Sequence, residues 1–317
     1  GYALYYFAAG GNTVTKDYEW IRRQMEDNGF DAVLDDKSDS MTMLSVQGPH
    51  SRSLLQSLVT SGDSLADDDF AFSTCKWIEV AGHRLLCLRL TFVGELGFEL
   101  HIPAESAVAV YRAIRQAGER YEAEHAVPVR DAGYRAIDIL SAEKNYRHWH
   151  ADLSNRDSPL EAGIGFTVLP KLKRTGADAP DFIGRAALEE LRAAGIRRKL
   201  VCLLLDQSDV LLHGAESIWR NDVCVGYVRS TAFGHSIGKC IAYGYVDCPE
   251  SEAKITNKWL EAGAWHVGDK GEKHAASLSL KAPFDPKNLR VKGEYDLQPS
   301  QGEALPVGGA AQSQPQL

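Results

Sequence analysis

In the stretch 134–168 the positions Ala136, Ile139, Leu140 and Glu143 recur at i, i+3, i+4 and i+7, which places them on one face of a helix. That face ends in a carboxylate, and its apolar stripe carries Glu143 toward the interior. A carboxylate buried without a partner costs several kcal/mol, so Glu143 should meet a donor pair or a cation. An ion pair with Arg135 or Arg147, or a place on the helix surface, is the plainer alternative. The helix is followed by Tyr146, Arg147, His148, Trp149 and His150, a polar turn at 155–159, and a glycine-punctuated stretch, 163–168, that reads as a strand. Helix end, polar loop and strand together predict the wall of a ligand site.

Upstream, residues 2–7 are apolar and aromatic, the pattern of a buried strand, and the chain opens directly in this run, as a segment of a longer polypeptide would. Residues 16–27 read as a helix with Thr15 as N-cap and Asn28-Gly29 as a left-handed end. Short strands follow at 33–34 and 41–46, then a corner at Gln47-Gly48-Pro49 and a helix over 51–58. Residues 61–69 form an acidic loop. Strands at 76–80 and 84–91 flank Ala81-Gly82-His83 as a hairpin, 98–102 is a further strand, and 104–122 is a long helix. After a basic loop at 171–174 and a helix over 184–194, the texture changes. Strands at 200–205, 217–220, 223–229 and 239–246, divided by turns, predict a small all-β domain over 197–292. The tail 293–317, rich in Gln, Gly, Pro and Ala, has almost nothing to bury and is expected to be disordered.

Net charge is −8 and no basic face stands out, which argues against nucleic acid or an anionic membrane as partner. No apolar run approaches the roughly 18 residues that a spanning helix needs. The 6 cysteines form no CxxC pair, so they read as small buried thiols of a reducing compartment rather than a zinc site or disulfide framework.

Four segments are familiar as a set: GYRAIDILSAEKNYRHWHADL, DSPLEAGIGFT, SVQGPHSR at 45–52 and TFVGELGFELHIP at 91–103. They resemble the folate-binding aminomethyltransferase module, the family of the glycine-cleavage T-protein, over residues 1 to about 292. The version is that carried as the C-terminal half of sarcosine and dimethylglycine dehydrogenases, and RHWHADL points to the sarcosine group. The resemblance implies an α+β fold: two interleaved αβ lobes over 1–195 and a C-terminal all-β barrel or jelly-roll-like lobe over 197–292, around a central folate site. It implies tetrahydrofolate as cofactor, capture of a methyl-derived one-carbon unit as 5,10-methylenetetrahydrofolate, and a mitochondrial matrix location. FAD belongs to an N-terminal flavoprotein half of the same polypeptide, with electron-transfer flavoprotein as a further partner. No G-x-G-x-x-G opens a βαβ unit here, in keeping with a flavin site elsewhere.

By the same resemblance, Glu143 accepts the adjacent N–H donors of the pterin, a charge-assisted fork. Asp17 favours charge developing on a folate nitrogen; the alternative is an acid stabilised by the helix dipole. Gly94, Glu95, Gly97, Phe98 and Glu99 match the family's turn, with Phe98 near the flat ring and Glu95 beside it, unless the turn is purely structural. Lys171, Lys173 and Arg174 hold the anionic tail of folate or form a solvated basic loop. Arg290 falls where the family's C-terminal end returns to the ligand. Two further patterns are weaker. His148, His150 and Asp152 alternate as metal ligands on a strand would, without further partners. Gly234-His235-Ser236-Ile237-Gly238 matches the serine-hydrolase elbow, but a strand-like run follows where a helix is required.

Overall fold

The computed structural model describes residues 3–176 and 179–295. The tail expected to be disordered therefore lies outside the described residues from 296 onward. The chain divides into two compact units: Gly1–Phe92 with Leu96–Ala136, and Val93–Glu95 with Ile137–Leu317.

The first unit carries helix α1 (Val14–Asn28), which closes on Gly29 in the left-handed region, φ 63°. Its antiparallel sheet is built from β1 (Met41–Gln47), β2 (Cys75–Val80), β3 (His83–Leu88) and β4 (Gly97–Pro103), in the order β1-β4-β3-β2. Helices α2 (Ser51–Gln56) and α3 (Ala104–His125) cover one face. The period of two decides which side chains enter the core: Phe98, Leu100 and Ile102 of β4 are all buried, with Ile78, Leu85 and Val110 around them. The β2–β3 hairpin turns at Ala81 and Gly82, both at positive φ, as a tight antiparallel connection requires.

Two expected strands are absent from this unit. In the described part of 2–7, Leu4 is 95% and Tyr5 83% exposed, and no ladder partner lines the run. Only Tyr6 is fixed, its hydroxyl 2.7 Å from Nδ1 of His101. An apolar run becomes a buried strand only where a sheet edge and a covering layer meet it. Residues 33–34 likewise stay outside any ladder.

Helix α4 (Tyr134–Glu143) begins in the first unit and ends in the second. The strand expected over 163–168 is a 3-10 turn, Gly165–Thr167, running into the short helix α5 (Leu169–Leu172). Gly163 sits at φ 75° and Pro170 occupies the first turn of α5, where its missing N–H costs nothing. Helix α6 (Arg185–Ala194) leads to the barrel. Its strands are β5 (Arg198–Leu205), β6 (Ser217–Arg220), β7 (Val223–Gly234), β8 (Lys239–Asp247), β9 (Trp265–Asp269) and β10 (Glu272–Ser279), closed in the order β10-β5-β8-β7-β6-β9. Helix α7 (Asn257–Glu261), capped by Thr256, precedes β9. The sequence pattern missed β9 and β10, whose alternation is carried by Ala, Ser and Gly as much as by large apolar residues.

Inside the barrel lie Val201, Leu203 and Leu205 of β5 with Ala242 and Val246 of β8. The opposite face of these strands carries Cys202, Tyr243 and Tyr245, against which Ala142 of α4 packs. Closure needs small residues at the tightest approach: a Cβ at Gly244 would collide with Ile218 Cδ1 and the Tyr227 carbonyl. The thiols of Cys87 and Cys202 are buried, and burial pushes both up to about 12, so they stay protonated core groups.

Leu203 is fully buried in the barrel. Leu203→Ala should destabilise the protein by about 2–5 kcal/mol, read from the urea midpoint at unchanged slope. Gly244→Ala should destabilise it as well, although it adds only a methyl group.

Candidate functional site

Glu143 ends α4 with its side chain inward, 1% exposed. It meets a donor pair supplied by the protein itself. The backbone N–H of Ser236 donates to Oε1 at 2.6 Å and the Ser236 hydroxyl to Oε2 at 2.8 Å. Ser236 sits in the turn between β7 and β8, in the middle of the Gly-x-Ser-x-Gly pattern. That pattern lies between two strands, and its hydroxyl is committed to a carboxylate, so it is a carboxylate receptor and not a nucleophile elbow. Gly234 lets the turn close: a Cβ there would lie 3.1 Å from Glu143 Oε1 and 2.9 Å from Ile237 Cγ1.

The residues after Glu143 are fastened to two segments far away in sequence. Phe284 donates its backbone N–H to the Glu143 carbonyl at 2.9 Å. Lys144 Nζ meets Asp285 Oδ2 at 2.6 Å, with both side chains 2% exposed. Asp285 also accepts the N–H groups of Leu289 and Arg290. Burial alone would raise its carboxyl, but the Lys144 ammonium and these two donors outweigh that and hold it below the usual aspartate value. The Tyr146 hydroxyl donates to Asn288, and burial raises the tyrosine above its ordinary value. Arg290 pairs through Nε with Glu95 Oε1 at 2.8 Å, its guanidinium lying over Phe284 and Tyr295. Gly94, at φ 74°, is pressed against Lys144 so closely that a Cβ would overlap the lysine stem.

Loop 93–95, the end of α4 and the segment 284–290 thus make one corner, and it gathers Glu143, Glu95 and Arg290. Among the described residues, Glu95 Oε2 and Asn145 Oδ1 there are buried acceptors without a protein donor.

The other residues singled out from the sequence have their own local surroundings. Phe98 is a core side chain of the first unit, fully buried beside Phe70 and the Arg89 guanidinium, and presents no open ring face. Glu99 points to the opposite side of β4, 3.9 Å from the His101 ring. Asp17, in the first turn of α1, accepts a 2.7 Å hydrogen bond from Thr13 and pairs with Lys16. Lys171, Lys173 and Arg174 are exposed, on and just beyond α5, with Lys171 near the Phe182 ring. Residues 148–152 form a turn, not the strand that a metal reading assumed. Asp152 there accepts the His148 N–H and the Ser230 hydroxyl. His148 also approaches Ser141 Oγ (2.6 Å) and Asp138 (3.6 Å), an order of groups seen in hydrolases. Ser141 is fully buried and back-bonded to the Ile137 carbonyl, so this is not a reactive hydroxyl. Sequence spacing gave no sign of Lys144, Asp285 or Ser236 as partners, because each pair is joined only by tertiary structure.

Residues 3–173 match the GCVT N-terminal domain, and residues 198–285 match the glycine cleavage T-protein C-terminal barrel domain. The mitochondrial sarcosine dehydrogenase of Mus musculus is 45% identical over 92% of this chain, and the mitochondrial dimethylglycine dehydrogenase of Homo sapiens is 35% identical over 77%. The chain spans only 30% and 26% of those two proteins, and in the first it matches the C-terminal part. The aminomethyltransferase T of the glycine cleavage system from Bartonella henselae shares the fold, with a TM-score of 0.66 at 23% identity over 87% of this chain and 67% of that one.

The buried pair carries a pH signature. Asp285 titrates below its unfolded value when folded, so its contribution is complete above the ordinary 3.8 and is lost as the pH falls through the folded-state value. Lys144→Met leaves Asp285 buried without its cation and should cost about 3–5 kcal/mol near neutral pH, with Lys144→Met/Asp285→Asn recovering part of the loss. Urea unfolding of the single and double variants between neutral and acid pH checks both statements.

Proposed function

Because the chain belongs to the glycine-cleavage T-protein family, we propose that it binds a reduced folate, tetrahydrofolate, and loads it with a one-carbon unit. The observation that carries this reading is the corner at the end of α4, where a second carboxylate oxygen, Glu95 Oε2, is buried without a donor. A pterin presents adjacent N–H groups along one edge, the complement of such acceptors. Arg290 fixes the orientation of Glu95 through its other oxygen. Glu143 has used one lone pair on each oxygen for Ser236, and each oxygen carries a second. Tetrahydrofolate, when bound, supplies a nucleophilic nitrogen for the one-carbon unit. The chain's own residues hold the pterin, keep water from its edge, and through Asp17 offer a carboxylate to developing positive charge or to a departing proton. Lys171, Lys173 and Arg174 offer point charges and a fork to the anionic tail.

The finer reading is a sarcosine dehydrogenase-like enzyme of the mitochondrial matrix. An FAD-bearing flavoprotein half of the same polypeptide oxidises the N-methyl group, passing electrons to electron-transfer flavoprotein. This module captures the carbon as 5,10-methylenetetrahydrofolate. Greater identity with the sarcosine enzyme than with the dimethylglycine enzyme favours sarcosine as donor. Holding nucleophile and electrophile side by side replaces a bimolecular encounter with an intramolecular one.

Calorimetric titration with tetrahydrofolate tests the reading. Glu95→Gln should weaken binding about tenfold or more, the scale of one charge-assisted hydrogen bond. Glu143→Ala should weaken it further than Ser236→Ala; equal losses would assign Glu143 to the clamp alone. Unchanged affinity in both Glu95→Gln and Glu143→Ala rejects the corner as the pterin site. Asp17→Asn should spare affinity and slow methylenetetrahydrofolate formation.

A further inference from the structure

A cleft of about 750 Å³ opens in the barrel wall where β9 and β10 part. The two strands pair from Glu272 opposite Asp269 to Ala276 opposite Trp265. Beyond Ala276, β10 runs on beside β5 alone, as far as Ser279 opposite Cys202. The chain on the β9 side turns away. The Gly263 N–H is spent on the Leu260 carbonyl, and Ala264 exchanges hydrogen bonds with Asn221. Glu261, Trp265, His266 and Lys281 line the gap together with the end of β10.

This parting leaves the end of β10 with one neighbour. Successive residues of a strand aim their N–H and C=O groups at opposite edges. The Ala275 carbonyl accepts the Asp206 N–H at 3.0 Å, so Ala275 faces β5, and Ser277 and Ser279 face it too. Leu278 and Leu280 therefore aim theirs at the cleft. Among the described residues, neither meets a backbone partner on that side. The side chains divide by the same alternation. Trp265 is buried in the barrel core and Leu278 packs against it, which makes the inner side of the cleft apolar. Half-buried His266 stands on the outer side, across from Ala275, and its Nδ1 is buried without a partner. An unpaired strand edge is a template for another strand, and proteins blunt it with charged residues or proline. Here Lys281 and Pro283 come only after the edge has ended, and the residues that face the cleft are leucines.

We propose that this edge receives an extended peptide segment of another protein, which adds as a strand beside Leu278 and Leu280. The donor–acceptor pattern selects the occupant. N–H and C=O groups that recur at every second residue along a line match a peptide backbone, and no single small functional group spans them. The volume suits a short segment, within the range of about 300–1,000 Å³ usual for ligand clefts. The segment alternates in character. Its residues bonded to Leu278 and Leu280 turn apolar side chains inward onto Leu278 and Trp265, and the residue between them turns a polar side chain outward to His266 Nδ1. The site is independent of the folate reading, since it uses only the barrel wall.

The test uses the whole chain and the blocked tetrapeptide acetyl-Val-Thr-Val-Thr-amide, followed through backbone amide resonances by NMR. Without peptide, the Leu278 and Leu280 amides should exchange with water far faster than the paired amides of β5. Saturating peptide should shift both resonances and slow their exchange at least tenfold. The same peptide N-methylated at both valines keeps the side chains but lacks the N–H groups of the bonding edge, and should bind at least tenfold more weakly. Leu280→Pro removes an edge N–H that the fold does not use and should weaken binding to a similar extent. The proposal is overturned if the peptide leaves both amides unmoved, or if the N-methylated peptide binds equally well. It is overturned too if both amides are already protected in the chain alone. Protection that grows with protein concentration would assign the edge to a second copy of the chain, and protection lost on removing residues 296–317 would assign it to the chain's own C-terminal residues. The N-methylated peptide keeps the test decisive should Leu280→Pro not fold.

Discussion

A single buried carboxylate joins helix α4 to the barrel. Glu143 would be too costly to bury alone, so the turn between β7 and β8 must present both its donors at once. This requirement reaches outward. Position 234 must lack a side chain, residue 236 must carry a hydroxyl, and its backbone N–H must remain outside the β ladder. An apolar contact at the same place would tolerate sliding by an ångström. A fork of two hydrogen bonds to one carboxylate does not, and it sets the position from which Lys144, Asn145 and Tyr146 depart.

From that fixed point the chain is held by charge. Lys144–Asp285 and Arg290–Glu95 fasten residues 284–290 and loop 93–95 to the end of the helix. Well-packed apolar groups often stabilise such junctions at least as well as a buried ion pair. What ion pairs add is direction: Asp285 accepts from a lysine and from two backbone N–H groups at once, which leaves that segment one arrangement. Glu95 is held by one oxygen, and its other oxygen is buried without a donor.

The two charged regions of the second unit differ in how they balance. At the end of α4 each cation has its carboxylate within hydrogen-bonding distance. On the outer barrel face the acids are spent on Arg198, Arg229 and polar groups, leaving Arg147 and Lys199 over.

Much of the fold was legible from local pattern. Helical spacing placed α1, α3, α4 and α6, and alternation placed β1, the β2–β3 hairpin, β4 and four of the barrel strands; Glu143 turns inward as expected, although Ala136, Ile139 and Leu140 of its stripe are only half-buried. These features repeat at short range, where the period of the backbone fixes which side a residue faces. Residues 3–7 and 163–168 misled because an apolar or β-branched run forms a strand only beside a free ladder partner, and none lies there among the described residues. β9 and β10 escaped notice because barrel closure, not large apolar side chains, holds them. The pairings Glu143–Ser236, Lys144–Asp285 and Arg290–Glu95 bridge residues far apart in the chain. The sequence alone determined that the carboxylate of Glu143 had to turn inward and find donors. Only the tertiary structure decided which opposite group each member of these pairs met, because that depends on how distant segments close on one another and on no spacing along the chain.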